Sequence, residues 1–126
     1  NGVDIRGEVV MMSRNVKIIG DNTDSWGGQV VVSDNIEIDG TVRTGQLIMD
    51  GVEIYNCSQG NTFKSAIRIE TAITEPQSIT NSAIWGSLGW GFSAMYSAHI
   101  HMQNTVIIGG YQMGLAVIGS HNVTLD

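Results

Sequence analysis

The chain has 126 residues, of which 14% are charged, with 12 Asp and Glu against 6 Lys and Arg. Such a length makes one domain-sized piece, and a chain rich in Val, Ile and Gly is the opposite of a disordered one. The acidic balance and the lack of a basic cluster exclude nucleic acid as the expected partner, and no apolar run reaches the roughly 18 residues of a spanning helix, so membrane attachment is expected only through a distant anchor outside this segment.

Strand signals follow one another along the chain. Short alternating or β-branched runs lie at 16–19, 29–32, 36–38, 47–49, 52–54, 66–69, 78–80, 83–85, 92–95, 100–102, 106–108, 115–118 and 123–125. Each is bounded by Gly, Asn, Asp or Ser. No segment carries an i, i+3, i+4, i+7 stripe with caps, so no helix of useful length is expected. Sixteen glycines serve a chain that turns often, and the single proline, Pro76, marks a loop at Thr74-Glu75-Pro76-Gln77. Asp39-Gly40 and Asp50-Gly51 are locally suited to two-residue hairpin turns.

The runs also repeat, at about 23 residues. Ile84-Trp85-Gly86 falls under Ile107-Ile108-Gly109, Ile79 under Met102, Asn81 under Asn104, and Val123 and Leu125 over Ile100 and Met102. Ile54 and Asn56 precede Ile79 and Asn81 by a similar step. This self-similarity predicts an all-β, right-handed parallel β-helix, a solenoid of about five coils of roughly 23 residues. The whole of 1–126 reads as one segment of a much larger protein, with 1–45 less regular and 46–126 regular. Ile54, Ile79, Met102 and Leu125 are expected to share one inner column, and Trp85 and Ile108 another. Asn56, Asn81 and Asn104 are expected to form a structural Asn ladder at one corner, since stacked amides can pass hydrogen bonds from layer to layer.

The residues carry a family resemblance. Glu8-Val9-Val10-Met11-Met12-Ser13-Arg14-Asn15-Val16-Lys17-Ile18-Ile19-Gly20-Asp21 resembles the run that opens the β-helix of fibrocystin, the fibrocystin-like proteins and the related cell-surface hyaluronidases, with Val10 in place of a family glycine. Val52-Glu53-Ile54-Tyr55-Asn56-Cys57-Ser58-Gln59 with Ala66-Ile67-Arg68-Ile69-Glu70 is similar to the next coil, and Ser87 to Phe92 and Gly119 to Asp126 are similar to later ones. The hyaluronan-degrading members carry Pro-Ile-His-Phe-His where this chain has Ala66 to Glu70, and Leu-Gly-His where it has Leu88-Gly89-Trp90. Three family histidines are thus replaced. The resemblance therefore implies the fibrocystin-like branch, large extracellular or ciliary-surface proteins.

Other motifs are weak. His99-Ile100-His101 places two imidazoles on one strand face, but a structural zinc needs four ligands, and a solvated surface is the simpler reading. Asn22-Thr23-Asp24 matches one fragment of a polygalacturonase signature without the other acidic, histidine and basic parts. Asp34, Glu37 and Asp39 with Arg43 could serve a cation, or form an exposed strand edge. Arg68 and Glu70 share an outward face and can pair. Trp90, between two glycines, is the best candidate for an exposed carbohydrate platform. Asn56-Cys57-Ser58 and Asn122-Val123-Thr124 are glycosylation sequons; a ladder position would bury Asn56, leaving Asn122 as the acceptor. Cys57 is a lone thiol and excludes an internal disulfide.

The expectation is a non-catalytic structural or adhesive segment with no catalytic, metal or cofactor residues. Its partners would be other domains of the same protein, proteins of a surface coat or filament, and glycan. The alternative is a polysaccharide-binding or polysaccharide-cleaving module by fold analogy alone.

Overall fold

The computed structural model describes residues 16–21 and 24–126. Most of the opening run of the family resemblance, and Asn22 and Thr23 of the polygalacturonase-like tripeptide, lie outside the described residues.

Among the described residues there are fourteen strands: β1 Val16–Ile19, β2 Val30–Val32, β3 Asn35–Ile36, β4 Val42–Arg43, β5 Ile48–Asp50, β6 Val52–Tyr55, β7 Ile67–Glu70, β8 Gln77–Thr80, β9 Ala83–Trp85, β10 Phe92–Met95, β11 Ala98–Gln103, β12 Val106–Ile108, β13 Leu115–Ile118 and β14 His121–Leu125. They form three parallel four-stranded sheets, β1-β6-β9-β12, β2-β7-β10-β13 and β5-β8-β11-β14, and one antiparallel pair, β3-β4.

These sheets correct the expected fold class. The chain is all-β, but in place of the expected right-handed parallel β-helix of about five 23-residue coils it has three parallel four-stranded sheets and an antiparallel hairpin, β3-β4. Partner spacing is 36 residues from Gln29 to Ser65, 30 from Leu47 to Gln77, 25 from Ala72 to Ser97 and 23 from Ser97 to Ser120. The 23-residue period is the pairing register of the C-terminal strands alone. Earlier spacings are lengthened by the hairpin and by loops at 59–65 and 71–76. Asp39-Gly40 turns the hairpin, with Gly40 at φ 85° and Gly40 N–H donating to Glu37 O at 2.9 Å.

Alternation sets which side chains face inward. Ile18, Ile54, Ile84 and Ile107 stand in register in the first sheet. Met49, Ile79, Met102 and Leu125 do so in the third. Ile54 therefore belongs to a different column from Ile79, a second correction: the two strands belong to different sheets. Val32, Ile69 and Ala94 line the second sheet beside Val30, Ile67 and Phe92. Ile54, Ile67, Ile69, Ile79, Ile84 and Phe92 are fully buried, each contributing roughly 1.5–3 kcal/mol by leaving water.

The corners share a local rule. Asn81, Tyr96, Asn104 and Gly119 take positive φ, at 49°, 50°, 50° and 60°. The next residue in each case, Ser82, Ser97, Thr105 or Ser120, donates its hydroxyl to the carbonyl two residues back, at 2.7, 2.8, 3.1 and 3.3 Å. The oxygens of Ser82, Ser97 and Ser120 also accept an N–H from Val52, Ala72 and Ser97 in the adjoining layer. Asn56 (φ 53°) and Cys57 repeat the pattern, the thiol lying 3.5 Å from Tyr55 O. Asn is among the residues that tolerate this backbone region best, so a corner Asn followed by a small hydroxyl is a bend that satisfies its own polar groups.

Candidate functional site

Four loops join the first parallel sheet to the second: those following β1, β6, β9 and β12. They lie on one another with little room between backbones. A Cβ on Gly27 would come within 1.7 Å of Asn56 O, and one on Gly89 within 2.4 Å of Gln59 O. Only glycine permits that approach. Backbone bonds fasten the layers: Gly27 N to Ser58 O at 2.9 Å, Ser58 N to Gly28 O at 2.7 Å, Gly60 N to Ser25 O at 2.8 Å and Leu88 N to Cys57 O at 3.0 Å.

The stacked loops carry an aromatic shelf. Trp26 is 46% and Phe63 59% exposed. Trp90 is half-buried, with Phe63 edge-on to it at 6.4 Å between centroids. The Lys64 ammonium stands 5.2 Å from the centre of the Trp26 ring, within cation–π range. The loop bearing Phe63 and Lys64 is closed by Gln59 N to Lys64 O at 3.0 Å. Thr62 tightens it, donating to Gln59 O at 3.0 Å and accepting from Lys64 N at 3.1 Å. The same four loops also form an open groove of about 420 Å³ lined by Ser25, Gly60, Asn61, Leu88, Tyr111 and Gln112. Trp90 is thus one member of a larger patch. Trp26, Phe63 and Tyr111 lie too far apart in sequence to be grouped before the loops are stacked.

The other expected residues fall elsewhere. Asn104 donates to Asn81 Oδ1 at 3.2 Å, and Asn81 donates to Asp50 Oδ1 at 2.6 Å. Asn81 and Asn104 are exposed, and Asn56 is half-buried on a corner of the first sheet. The side-chain series therefore runs from the Asn104 amide through the Asn81 amide to the Asp50 carboxylate, and Asn56 is not part of it. Trp85 lies on the outer face, stacked on Tyr55, not in the core.

His99 and His101 flank buried Ile100. His99 is exposed, with Asn122 Nδ2 at 2.6 Å from its Nδ1 and the His121 ring centre at 6.1 Å. Among the described residues no three His, Cys, Asp or Glu side chains are grouped to hold a metal ion. Arg43 pairs with Glu37 across the hairpin at 2.9 Å. Asp34 accepts from Gly45 N, Ile73 N and Thr74 Oγ1 at 2.9, 3.0 and 3.0 Å. Burial raises its pKa, but these hydrogen bonds together hold it below the ordinary carboxylate value. Asp39 is likewise lowered, chiefly by the Thr41 backbone N–H. The carboxylates of this region fasten loops. Arg68 and Glu70 form an ion pair.

Comparison with protein families, with curated proteins and with solved structures gives no match.

Proposed function

We propose that this chain is a non-catalytic structural segment of a large extracellular or ciliary-surface protein of the fibrocystin-like kind, a stiff spacer whose outer faces make lateral contacts. The observation that carries the reading is the sharing of one core by three parallel sheets. Ile54 and Ile84 of the first sheet, Ile67, Ile69 and Phe92 of the second, and Ile79 and Met102 of the third belong to one buried cluster. A body tied in this way resists bending, because displacing one layer breaks backbone bonds in all three sheets at once. The resemblance of Val52 to Glu70 and of Ser87 to Phe92 supports the family, and the replaced histidines support a non-catalytic branch.

The test is depolymerisation of hyaluronan and pectin by the intact protein. Unchanged polymer length agrees with a structural role. Cleavage that disappears in Arg68→Ala or Glu70→Ala overturns it.

A further inference from the structure

We propose that the shelf formed by Trp26, Phe63, Lys64 and Trp90 binds a neutral oligosaccharide, with pyranose rings lying on the aromatic faces and hydroxyls bonded in the groove of the same loops. The chain has three Trp, three Tyr and two Phe. Four of these, Trp26, Phe63, Trp90 and Tyr111, lie on the loops joining one pair of sheets. Loops that merely connect strands gain nothing from exposed aromatic rings, which lose favourable burial.

The chemistry of the patch matches a sugar in three ways. A pyranose ring has an apolar C–H face and a rim of hydroxyls. Aromatic faces carry the negative quadrupole that attracts such polarised C–H groups. Asn61, Gln112 and Ser25 in the groove supply both donors and acceptors for the rim. Ligand sites are commonly built this way, with aromatic surface and a few placed polar groups.

The shelf is also held in advance of binding. The Gln59–Lys64 loop is closed on itself, and the glycine-tight stacking fixes each loop against the next. Little ordering cost remains when a ligand arrives, which matters for a weak, shallow site.

Charge selects the class of sugar. The chain carries a formal net charge of −6, which repels a polyanionic glycan. Lys64, the cation of the shelf, is engaged over Trp26. A neutral hexose chain meets no such repulsion, and its ring displaces the Lys64 ammonium from the Trp26 face on binding.

The experiment is a titration of the intact protein with cellohexaose, mannohexaose and a hyaluronan hexasaccharide, followed by tryptophan fluorescence and amide-proton shifts. The expected result is saturable binding of a neutral hexasaccharide, weakened about tenfold or more by Phe63→Ala and by Trp26→Ala. Ile38→Ala, at a fully exposed hairpin position, leaves it unchanged. Phe63 is largely solvent-facing, so its variant keeps the fold, and amide-proton dispersion verifies this. No saturation by either neutral sugar, tighter binding of the hyaluronan fragment, or binding indifferent to both aromatic substitutions overturns the proposal. Sugar binding without cleavage leaves the structural role intact, so the two readings fail separately.

Discussion

The Tyr55 and Trp85 rings lie 3.9 Å apart between centroids, stacked at 28° on the outer face of the first sheet. Parallel pairing puts the two residues directly beside each other. Trp85 Nε1 donates to Glu53 Oε1 at 2.9 Å, and Lys17 reaches the other carboxylate oxygen at 2.9 Å. Stacked aromatic pairs contribute about 0.5–1.5 kcal/mol beyond burial. A double-mutant cycle of Tyr55→Ala and Trp85→Ala in urea unfolding should give a coupling of that order; additive effects would show that the stack contributes nothing.

Glu53 gives this cluster a pH dependence. The Lys17 and then the Trp85 hydrogen bond hold its pKa below the ordinary glutamate value. A carboxylate depressed in the folded state stabilises above its unfolded pKa, and the contribution is lost as pH falls through the folded one. The melting temperature should therefore fall on acidification below about pH 4.3, and Glu53→Gln should fall less.

Two buried hydroxyls predict an asymmetry. Ser65 Oγ donates to Ile67 O at 2.7 Å and lies 2.6 Å from Ser93 Oγ. With one proton each, Ser93 must be the donor between them. Ser65→Ala strands the Ser93 hydroxyl in a fully buried site, at about 1–3 kcal/mol. Ser93→Ala removes only a donor to an oxygen that keeps its own acceptor, and should cost less. Chemical denaturation of both variants decides the order, and equal losses would contradict the assignment.

Thr71 sits at φ 57°, exposed, at a corner. A β-branched residue is poorly suited to that region, where left-handed backbone costs roughly 1–2 kcal/mol. The sheet-third corners use Asn at 81 and 104 instead. Thr71→Asn should stabilise by up to about 1 kcal/mol, seen as a higher urea midpoint with an unchanged slope.

Cys57 is buried, and burial pushes its thiol pKa up. A thiol whose pKa is raised on folding adds no penalty below its unfolded value, near 8.5, and costs stability as pH rises through the folded one. Folded protein should react slowly with a disulfide reagent at pH 8, and fast in urea. Cys57→Ser should be mild, because Ser holds the same place at Ser82, Ser97 and Ser120. It should also abolish part of the alkaline loss. Rapid labelling of native protein would contradict the burial.

Where the strands lie was legible in the sequence, and how they are grouped was not. Alternation alone places 83–85, 92–95, 106–108 and 115–118 to the residue, because each is a short apolar run bounded by corner residues. The spacing misleads wherever loop length varies: Ile54 and Ile79 are 25 apart yet belong to different sheets. The Asp39-Gly40 pair is a sound local hairpin signal, since it turns β3 into β4. At the shelf, Trp90 stood out by its flanking glycines. Its neighbours Trp26 and Phe63 are joined to it only by the stacking of loops, which no local pattern records.

The sequons separate in the same way. Asn122 and Thr124 are exposed, whereas Ser58 is fully buried and its hydroxyl accepts from Gly89 N at 2.6 Å. Expressed through a secretory pathway, the folded chain should carry one N-glycan, removed by Asn122→Gln and retained in Asn56→Gln, as read by a glycosidase mobility shift. Glycan at Asn56 would contradict this geometry.

The β3-β4 hairpin projects from the parallel sheets, and its Ile38 is wholly solvated. Partner spacing shrinks from 36 to 23 residues along the chain while parallel register is kept on every side. Length is thus absorbed at bends, where closing a longer loop costs little, about 0.6 kcal/mol per doubling. The turn at Asp39-Gly40 is accordingly a natural graft point, where an epitope tag or a fluorescent reporter can be spliced in without disturbing the interior.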